Sequence, residues 1–376
     1  MNAELVGSQD KLMRVRNEYL DLMQAFLTGS IYRDFAQARF GSNLFDSHRR
    51  EHGLDWPSTA ETMIGVKRLA NLRALTESVI ADNVPGDLIE TGVWRGGACI
   101  FMRAILYANS VSDKSVWVAD SFEGLPAGNT LQYPADAGSD FHTYSQLAVS
   151  LEEVKENFRA HGLLDAQVKF VKGWFKDSLP KVPIDRLALL RLDGDMYEST
   201  MDALTYLYPK LSRLGYVIVD DYHVVPACKA AVSDYCEKNA IRPQIVEIDG
   251  VGVYWRKSSV PEGQSEIVST NEVVASFDVQ IARLDQAVLE LSKRAIAQLN
   301  RCLSERDELI ASMTQSLAEQ DRQIVNLKQT LVQRDEYIAA LLSSASWRVT
   351  EPLRVMGALL RKFHPLGHTN LKGREK

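Results

Sequence analysis

The sequence lacks the features of several protein classes. Its cysteines are few and scattered, with no Cys-x-x-Cys pair, so we expect neither a disulfide framework nor a thiolate metal site, and a reducing cytoplasm fits. The net charge of −6 excludes a general attraction to nucleic acid. The first residues are charged and precede no apolar core, and no run of about 18 apolar residues occurs anywhere. We therefore expect neither a signal peptide nor a membrane span.

Apolar runs of strand length alternate with helical segments in the middle of the chain. The alternation predicts an α/β fold with a mostly parallel, doubly wound, Rossmann-like sheet, to which a C-terminal hairpin turning at Asp249-Gly250 would add an antiparallel edge. The predicted strands are residues 87–90, 116–120, 168–171, 187–192 and 216–219, followed by the hairpin at 244–255.

The segments on either side of this region differ from it in composition. We predict an N-terminal helical arm or lid over residues 1–60, the α/β domain over 61–257, a polar linker over 258–272, a long helix over 273–345 and a basic amphipathic tail over 346–376. The tail carries seven Lys and Arg against two Glu. Such a segment is typical of a helix that lies on an anionic membrane surface, or of one that packs on a partner subunit.

The long helix contains a 14-residue repeat, which is two heptads. The repeats begin at Leu303, Leu317 and Leu331. Seam positions from Ile310 to Ala345 are mostly apolar, which predicts a coiled coil and a homo-oligomer, with polar Gln320 and Arg334 setting the register. Between Leu291 and Leu303 the spacing becomes four throughout, which indicates a stutter. The alternative is a single surface helix, but about 65 residues at 1.5 Å each span about 100 Å, more than the domain.

Two predicted strands end in aspartates. Asp193 follows the run 187–192, and Asp220 and Asp221 follow the run 216–219. Ligands of open α/β sheets bind outside the carboxyl ends of the strands, so the three carboxylates should converge there. Carboxylates crowd together only with a compensating cation, and a hard, oxygen-preferring ion such as Mg²⁺ is the simplest one.

The first two predicted strands also end in acidic residues. Glu90 precedes Gly92 in a turn that opens a helix, which suits a ligand with a cationic amino group, although a tight strand–helix turn alone would explain the pattern. Asp120 ends the second strand, where an acid typically accepts hydrogen bonds from ribose hydroxyls, and Ser121 follows it. A helix N-cap is the alternative for Asp120. The glycine pattern is not Gly-x-Gly-x-x-Gly, which argues against a dinucleotide site.

Five motifs between about residues 10 and 256 together resemble the macrocin O-methyltransferase family. They are Glu90-Thr-Gly-Val-Trp-Arg-Gly-Gly97, Ala119-Asp-Ser-Phe-Glu-Gly-Leu-Pro126, Gly173-Trp-Phe-Lys-Asp-Ser-Leu-Pro180, Leu192-Asp-Gly-Asp-Met-Tyr-Glu-Ser-Thr200 and Asp220-Asp-Tyr222. The resemblance implies a class I, S-adenosylmethionine-dependent fold, a Mg²⁺ requirement and action on sugar hydroxyls. It places the metal ligands on Asp193, Asp220 and Asp221, and the cofactor pocket on Thr62, Met63, Glu90, Gly92, Asp120, Ser121, Trp174 and Asp193.

These elements predict methyl transfer to a sugar hydroxyl that Mg²⁺ activates, with His142 or Asp193 as the base. We expect a bacterial surface glycan as the acceptor, because the coiled coil and basic tail depart from the antibiotic enzymes. The tail would then hold the enzyme at the inner face of the cytoplasmic membrane, near glycan-assembly enzymes. The alternatives are an enzyme of the same class that methylates a soluble glycosylated secondary metabolite, and a catalytically silent coiled-coil scaffold.

Overall fold

A computed structural model describes residues 2–37, 43–257 and 271–343, together with 353–356 and 358. It confirms the predicted α/β fold, with one seven-stranded sheet in the order β3-β2-β1-β4-β5-β7-β6. The first five strands are parallel, and β7 runs antiparallel to both β5 and β6. The strands are β1 (Asp87–Thr91), β2 (Val116–Asp120), β3 (Val168–Lys172), β4 (Leu187–Leu192), β5 (Leu211–Val219), β6 (Val246–Glu247) and β7 (Val253–Arg256).

Helices cover both faces of the sheet. Successive strand residues point to opposite faces, and the apolar side chains on each face are buried against helices. Leu88 packs into an apolar core with helices α1, α3, α4 and α5, whereas Ile89 packs on the other face with α7 and α8. The helices are α1 (Asn2–Leu27), α2 (Ser47–Glu51), α3 (Gly65–Ala81), α4 (Gly97–Ala108), α5 (Leu151–Ala160), α6 (Phe175–Ser178), α7 (Tyr197–Leu207), α8 (Pro226–Lys238) and α9 (Asn271–Ser343).

Helix α1 of the N-terminal segment packs on the α/β domain. Helix α1 contributes Tyr19, Leu20, Met23 and Leu27 to the same core as α3 and α4, and each of these four is almost fully buried. Burial of that apolar face explains the helical spacing of the N-terminal segment.

The C-terminal predictions are covered only in part. Most of the linker and nearly all of the basic tail lie outside the described residues, and the described helices contain none that is long and apolar enough to span a bilayer. The chain divides into two compact units, Met1–Cys302 and Leu303–Lys376. Within the first, Leu291 and Ala295 of α9 are buried against the α/β domain. Packing on the domain therefore accounts for the first part of the four-residue spacing, at Leu291 and Ala295.

Candidate active site

The carboxyl ends of β4 and β5 bring three aspartates together. Oxygen atoms of Asp193, Asp220 and Asp221 all lie within 4.8 Å of one another. Strands β4 and β5 pair in parallel up to Leu192 and Val219, so the residues that follow them meet at one edge. The convergence predicted from the sequence is thus present in the structure.

Two buried arginines, which the sequence analysis did not place at this cluster, neutralise part of it. Arg191 lies beside Glu90 in the register of β4 and β1, and its guanidinium contacts the carboxylates of Glu90, Asp193 and Asp220. Arg68 of α3 contacts the other oxygen of Asp220 and also Asp249. The sequence does contain a signal for Arg191, because it interrupts an otherwise apolar strand. A cation buried there needs carboxylate partners.

Burial and mutual repulsion raise the pKa values of several acids in and beside this cluster. Burial raises the pKa of Asp195 to about 8, and the neighbouring Asp193 and Asp220 add to the shift. Burial likewise raises the pKa of Glu90 to about 7, although the Arg191 guanidinium acts in the opposite direction. The pKa of Asp221 is raised by burial and then by Asp195 and Asp193. Without a further cation, the cluster therefore carries more carboxylates than its surroundings can keep ionised.

The turn after β1 can be formed only by a residue without a side chain at position 92. Gly92 has a φ of +86°, and a Cβ added there would lie 1.8 Å from the Asp193 carbonyl oxygen. The backbone NH of Asp193 donates to the Thr91 carbonyl at 2.9 Å. This close approach aligns the ends of β1 and β4, and so places Glu90 next to the aspartate cluster.

One cavity of about 340 Å³ lies at this edge of the sheet. All predicted metal-binding and cofactor-binding residues line it: Thr62, Met63, Glu90, Gly92, Asp120, Ser121, Trp174, Asp193, Asp220 and Asp221. A concave site with convergent polar groups is the usual form of a small-molecule pocket. The structure therefore collects the predicted residues in a single site.

Asp120 holds two turns at the cavity wall and does not act as the helix N-cap that was its alternative. Its oxygens accept hydrogen bonds from the backbone NH groups of Val93 and Phe122, both at 2.7 Å. Because an ionised carboxylate has about four lone pairs, it can still accept from a ligand hydroxyl. The Ser121 hydroxyl, by contrast, donates to the Gly124 carbonyl at 2.6 Å within its own turn.

Buried polar side chains order the segment that carries Thr62 and Met63. Asp34 accepts hydrogen bonds from the backbone NH groups of Thr59 and Ala60 at 2.8 and 2.9 Å. Arg95, in the turn that leads into α4, donates to the Ala60 carbonyl at 2.8 Å. The cavity wall that carries Thr62 and Met63 is thus hydrogen-bonded to the connection between β1 and α4.

The long loop 123–145, which carries His142, lines part of the cavity and is hydrogen-bonded to α7. Asp136 is buried and accepts hydrogen bonds from the backbone NH groups of Tyr197 and Glu198 at the start of α7, at 2.7 and 3.2 Å. Phe141 lines the cavity, whereas the adjacent His142 is exposed and is not among the lining residues. His142 therefore does not face the aspartate cluster in this structure.

A second polar group in the cavity was not identified from the sequence. Lys176 Nζ lies 3.3 Å from the Glu198 carboxylate, and Asp202 is on the same helix as Glu198. Burial raises the pKa of Asp202 to about 6, and Glu198 adds to the shift. Glu198 and Asp202 lie four residues apart on an ordinary amphipathic helix, which is why the sequence alone did not mark them as site residues.

The residues present fit a bound Mg²⁺ ion. The Oδ2 atom of Asp221 is buried and has no hydrogen-bond partner among the described residues. The three carboxylates supply only oxygen donors, as Mg²⁺ prefers, and Asp220 keeps free lone pairs beside its two arginines. A divalent cation would also balance the acidic excess described above.

Comparisons with known proteins identify the family. The macrocin-O-methyltransferase (TylF) family model matches residues 33–257. The chain is 55% identical to demethyldecarbamoylnovobiocin O-methyltransferase of Streptomyces niveus over 64% of this chain and 93% of that protein. It is 50% identical to mycinamicin III 3''-O-methyltransferase of Micromonospora griseorubida, over 64% of this chain and 96% of that protein.

The same resemblance is visible in three dimensions. The solved structure of the O-methyltransferase NovP superposes with a TM-score of 0.63 at 53% identity, covering 65% of this chain and all of that one. The chain therefore belongs to the macrocin O-methyltransferase family and is an S-adenosylmethionine-dependent O-methyltransferase.

Proposed function

We propose that this enzyme transfers a methyl group from S-adenosylmethionine to a sugar hydroxyl of a glycosylated secondary metabolite, with Mg²⁺ held by Asp193, Asp220 and Asp221. The observation that carries the proposal is the shared cavity, in which the three aspartates lie beside the residues predicted to bind the cofactor. Methyl transfer requires both reactants in one water-poor site with their reacting atoms aligned.

The cofactor side of the cavity suits the parts of S-adenosylmethionine. Asp120 accepts from the ribose hydroxyls, because it ends β2 and keeps lone pairs directed at the cavity. The walls next to it are the Thr62–Met63 segment and Trp174. Glu90 would be the acid for the amino group of the methionine end, and its carboxylate already contacts Arg191 and Cys99. Glu90 would thus attract this amino group together with the other carboxylates of the cluster rather than alone.

The aspartate cluster would activate the acceptor hydroxyl by holding Mg²⁺. When bound there, Mg²⁺ lowers the pKa of a coordinated hydroxyl and orients it. Of the two predicted bases, Asp193 lines the cavity, so we assign it the nearer position for accepting the hydroxyl proton. His142 would need a movement of loop 123–145 to reach the acceptor.

The acceptor is best matched by a glycoside that carries no phosphate. The relatives are named for methylation of novobiocin, mycinamicin and tetracenomycin precursors, which favours our alternative over the surface glycan. Carboxylates greatly outnumber cations in the cavity lining, which disfavours a phosphorylated acceptor. The lining acids are Glu90, Asp120, Asp193, Asp195, Glu198, Asp202, Asp220 and Asp221, and the lining cations are Arg68 and Lys176.

Transfer of a radiolabelled methyl group tests the proposal. With labelled S-adenosylmethionine and Mg²⁺, we expect label to enter demethyldecarbamoylnovobiocin or an aryl α-L-rhamnoside at least about tenfold faster than dTDP-L-rhamnose, because phosphates are repelled by the lining acids. The exposed-site variant Asp177→Asn serves as a control and should keep this preference. Faster labelling of the sugar nucleotide, or no labelling of any glycoside, would contradict the proposed acceptor class.

A further inference from the structure

Helix α9 presents a stripe of exposed apolar side chains in the second unit. We define the seam as Met313, Leu317, Gln320, Ile324, Leu327, Leu331, Arg334 and Ile338, which recur at alternating spacings of three and four. Leu317, Leu327 and Leu331 are each more than 60% exposed. Single exposed leucines are common, but a regular stripe along one helix indicates a surface that another helix covers.

The seam divides into two alternating sets of heptad positions. The a positions are all apolar: Leu317, Ile324, Leu331 and Ile338. The d positions alternate between apolar and polar: Met313, Gln320, Leu327 and Arg334. Isoleucine at two of the four a positions, with Leu327 at d, favours two strands, and the polar seam residues specify register at some cost in stability.

The placement of the polar residues discriminates between the two possible orientations. In a parallel pair, each d residue meets the same d position of the other helix. In an antiparallel pair, d residues meet a residues, so Gln320 and Arg334 would each be pressed against leucine or isoleucine with no polar partner. Parallel alignment avoids that cost, because it places polar layers together and apolar layers together.

Charge complementarity supports the same arrangement. Each polar d residue is followed by an aspartate at the e position, Asp321 after Gln320 and Asp335 after Arg334. In a parallel, in-register pair, the e position of one helix borders the d layer of the other. Arg334 of each copy can then pair with Asp335 of the other. A shift by one heptad would instead set Gln320 and Arg334 against Met313 and Leu327.

We infer that α9 binds a second copy of this chain through the seam, forming a parallel, in-register, two-stranded coiled coil. This inference rests on the helix alone and is independent of the proposed acceptor. Such a dimer has a defined strand orientation and register, which the 14-residue repeat alone left open.

Oligomeric mass provides the first test. Sedimentation equilibrium of the full chain should give twice the monomer mass of 42.1 kDa. The double variant Ile324→Asp/Leu331→Asp should lose the dimer at micromolar concentration, while methyl transfer per chain remains within about twofold. Gln329→Asp, which lies outside the seam on the same helix, should remain dimeric. A monomeric wild type would overturn the inference. A trimer or tetramer would also overturn it.

Disulfide trapping tests orientation and register. In a Cys302→Ser background, Ile324→Cys should form a covalent dimer on mild oxidation, because equivalent a positions face each other only in a parallel, in-register pair. Gln329→Cys should not cross-link, and the native Cys99, Cys228 and Cys236 are buried. A protein that is dimeric by mass but does not cross-link through Ile324→Cys would contradict the parallel arrangement.

Discussion

Replacing Asp221 by asparagine is expected to lower kcat about 100-fold or more, while the affinity for S-adenosylmethionine changes only a few-fold. The substitution keeps the shape of the side chain and removes one negative charge from the three-carboxylate cluster. Among the described residues, Oδ2 of Asp221 is the one oxygen of the cluster that is buried without a hydrogen-bond partner. Replacing it should therefore weaken metal binding more than it weakens the fold.

Steady-state kinetics and calorimetry separate these effects. Titration of Mn²⁺ as a spectroscopic substitute for Mg²⁺ should show weakened metal binding in Asp221→Asn. Asp177→Asn, an exposed carboxylate outside the cavity lining, should behave like the wild type. An Asp221→Asn enzyme with normal kcat and normal metal affinity would contradict the assignment of Asp221 as a metal ligand.

Replacing Arg191 by methionine is expected to lower the free energy of unfolding by about 3–5 kcal/mol at neutral pH. Arg191 is the fully buried cation between Glu90, Asp193 and Asp220, and its loss leaves these acids to repel one another without compensation. Chemical denaturation measures the loss. The deficit should shrink as the pH is lowered, because the folded variant raises the carboxyl pKa values and protonation then removes the repulsion.

A double variant isolates the electrostatic cause. Arg191→Met combined with Glu90→Gln should recover part of the lost stability, because one of the unpaired charges is removed with its partner. Arg191→Lys should be intermediate, since it keeps the charge but not the branched contacts. If Arg191→Met were destabilised equally at all pH values, lost packing rather than charge would be the cause.

Much of this site could be predicted because strand-end chemistry is local in sequence. Asp193, Asp220 and Asp221 follow apolar runs, and parallel topology alone brings such residues to one edge. The same logic located Glu90 and Asp120. The parallel sheet followed from the alternation of strands and helices, and its antiparallel edge from the predicted C-terminal hairpin, whereas the order of the strands was not predicted.

The residues that were missed depend on contacts between distant segments. Arg68 reaches the site from α3 across more than 150 positions of sequence to contact Asp220, and Asp136 is buried by its contact with the start of α7. Neither contact leaves a periodic signal. His142 is the opposite case, a residue that the sequence suggested but that the cavity does not include. It lies in the loop 123–145, yet its neighbour Phe141 lines the cavity and His142 does not.

Calorimetric titration of S-adenosylmethionine into the full-length protein tests the central assignment, a cofactor pocket at the aspartate edge of the sheet. We expect micromolar binding to wild type and at least about tenfold weaker binding to Asp120→Ala, which loses the ribose contact. Thermal unfolding of Asp120→Ala checks that the two turns it holds remain folded. Wild-type protein that binds no S-adenosylmethionine, with or without Mg²⁺, would contradict the assignment and leave the silent scaffold as the better explanation.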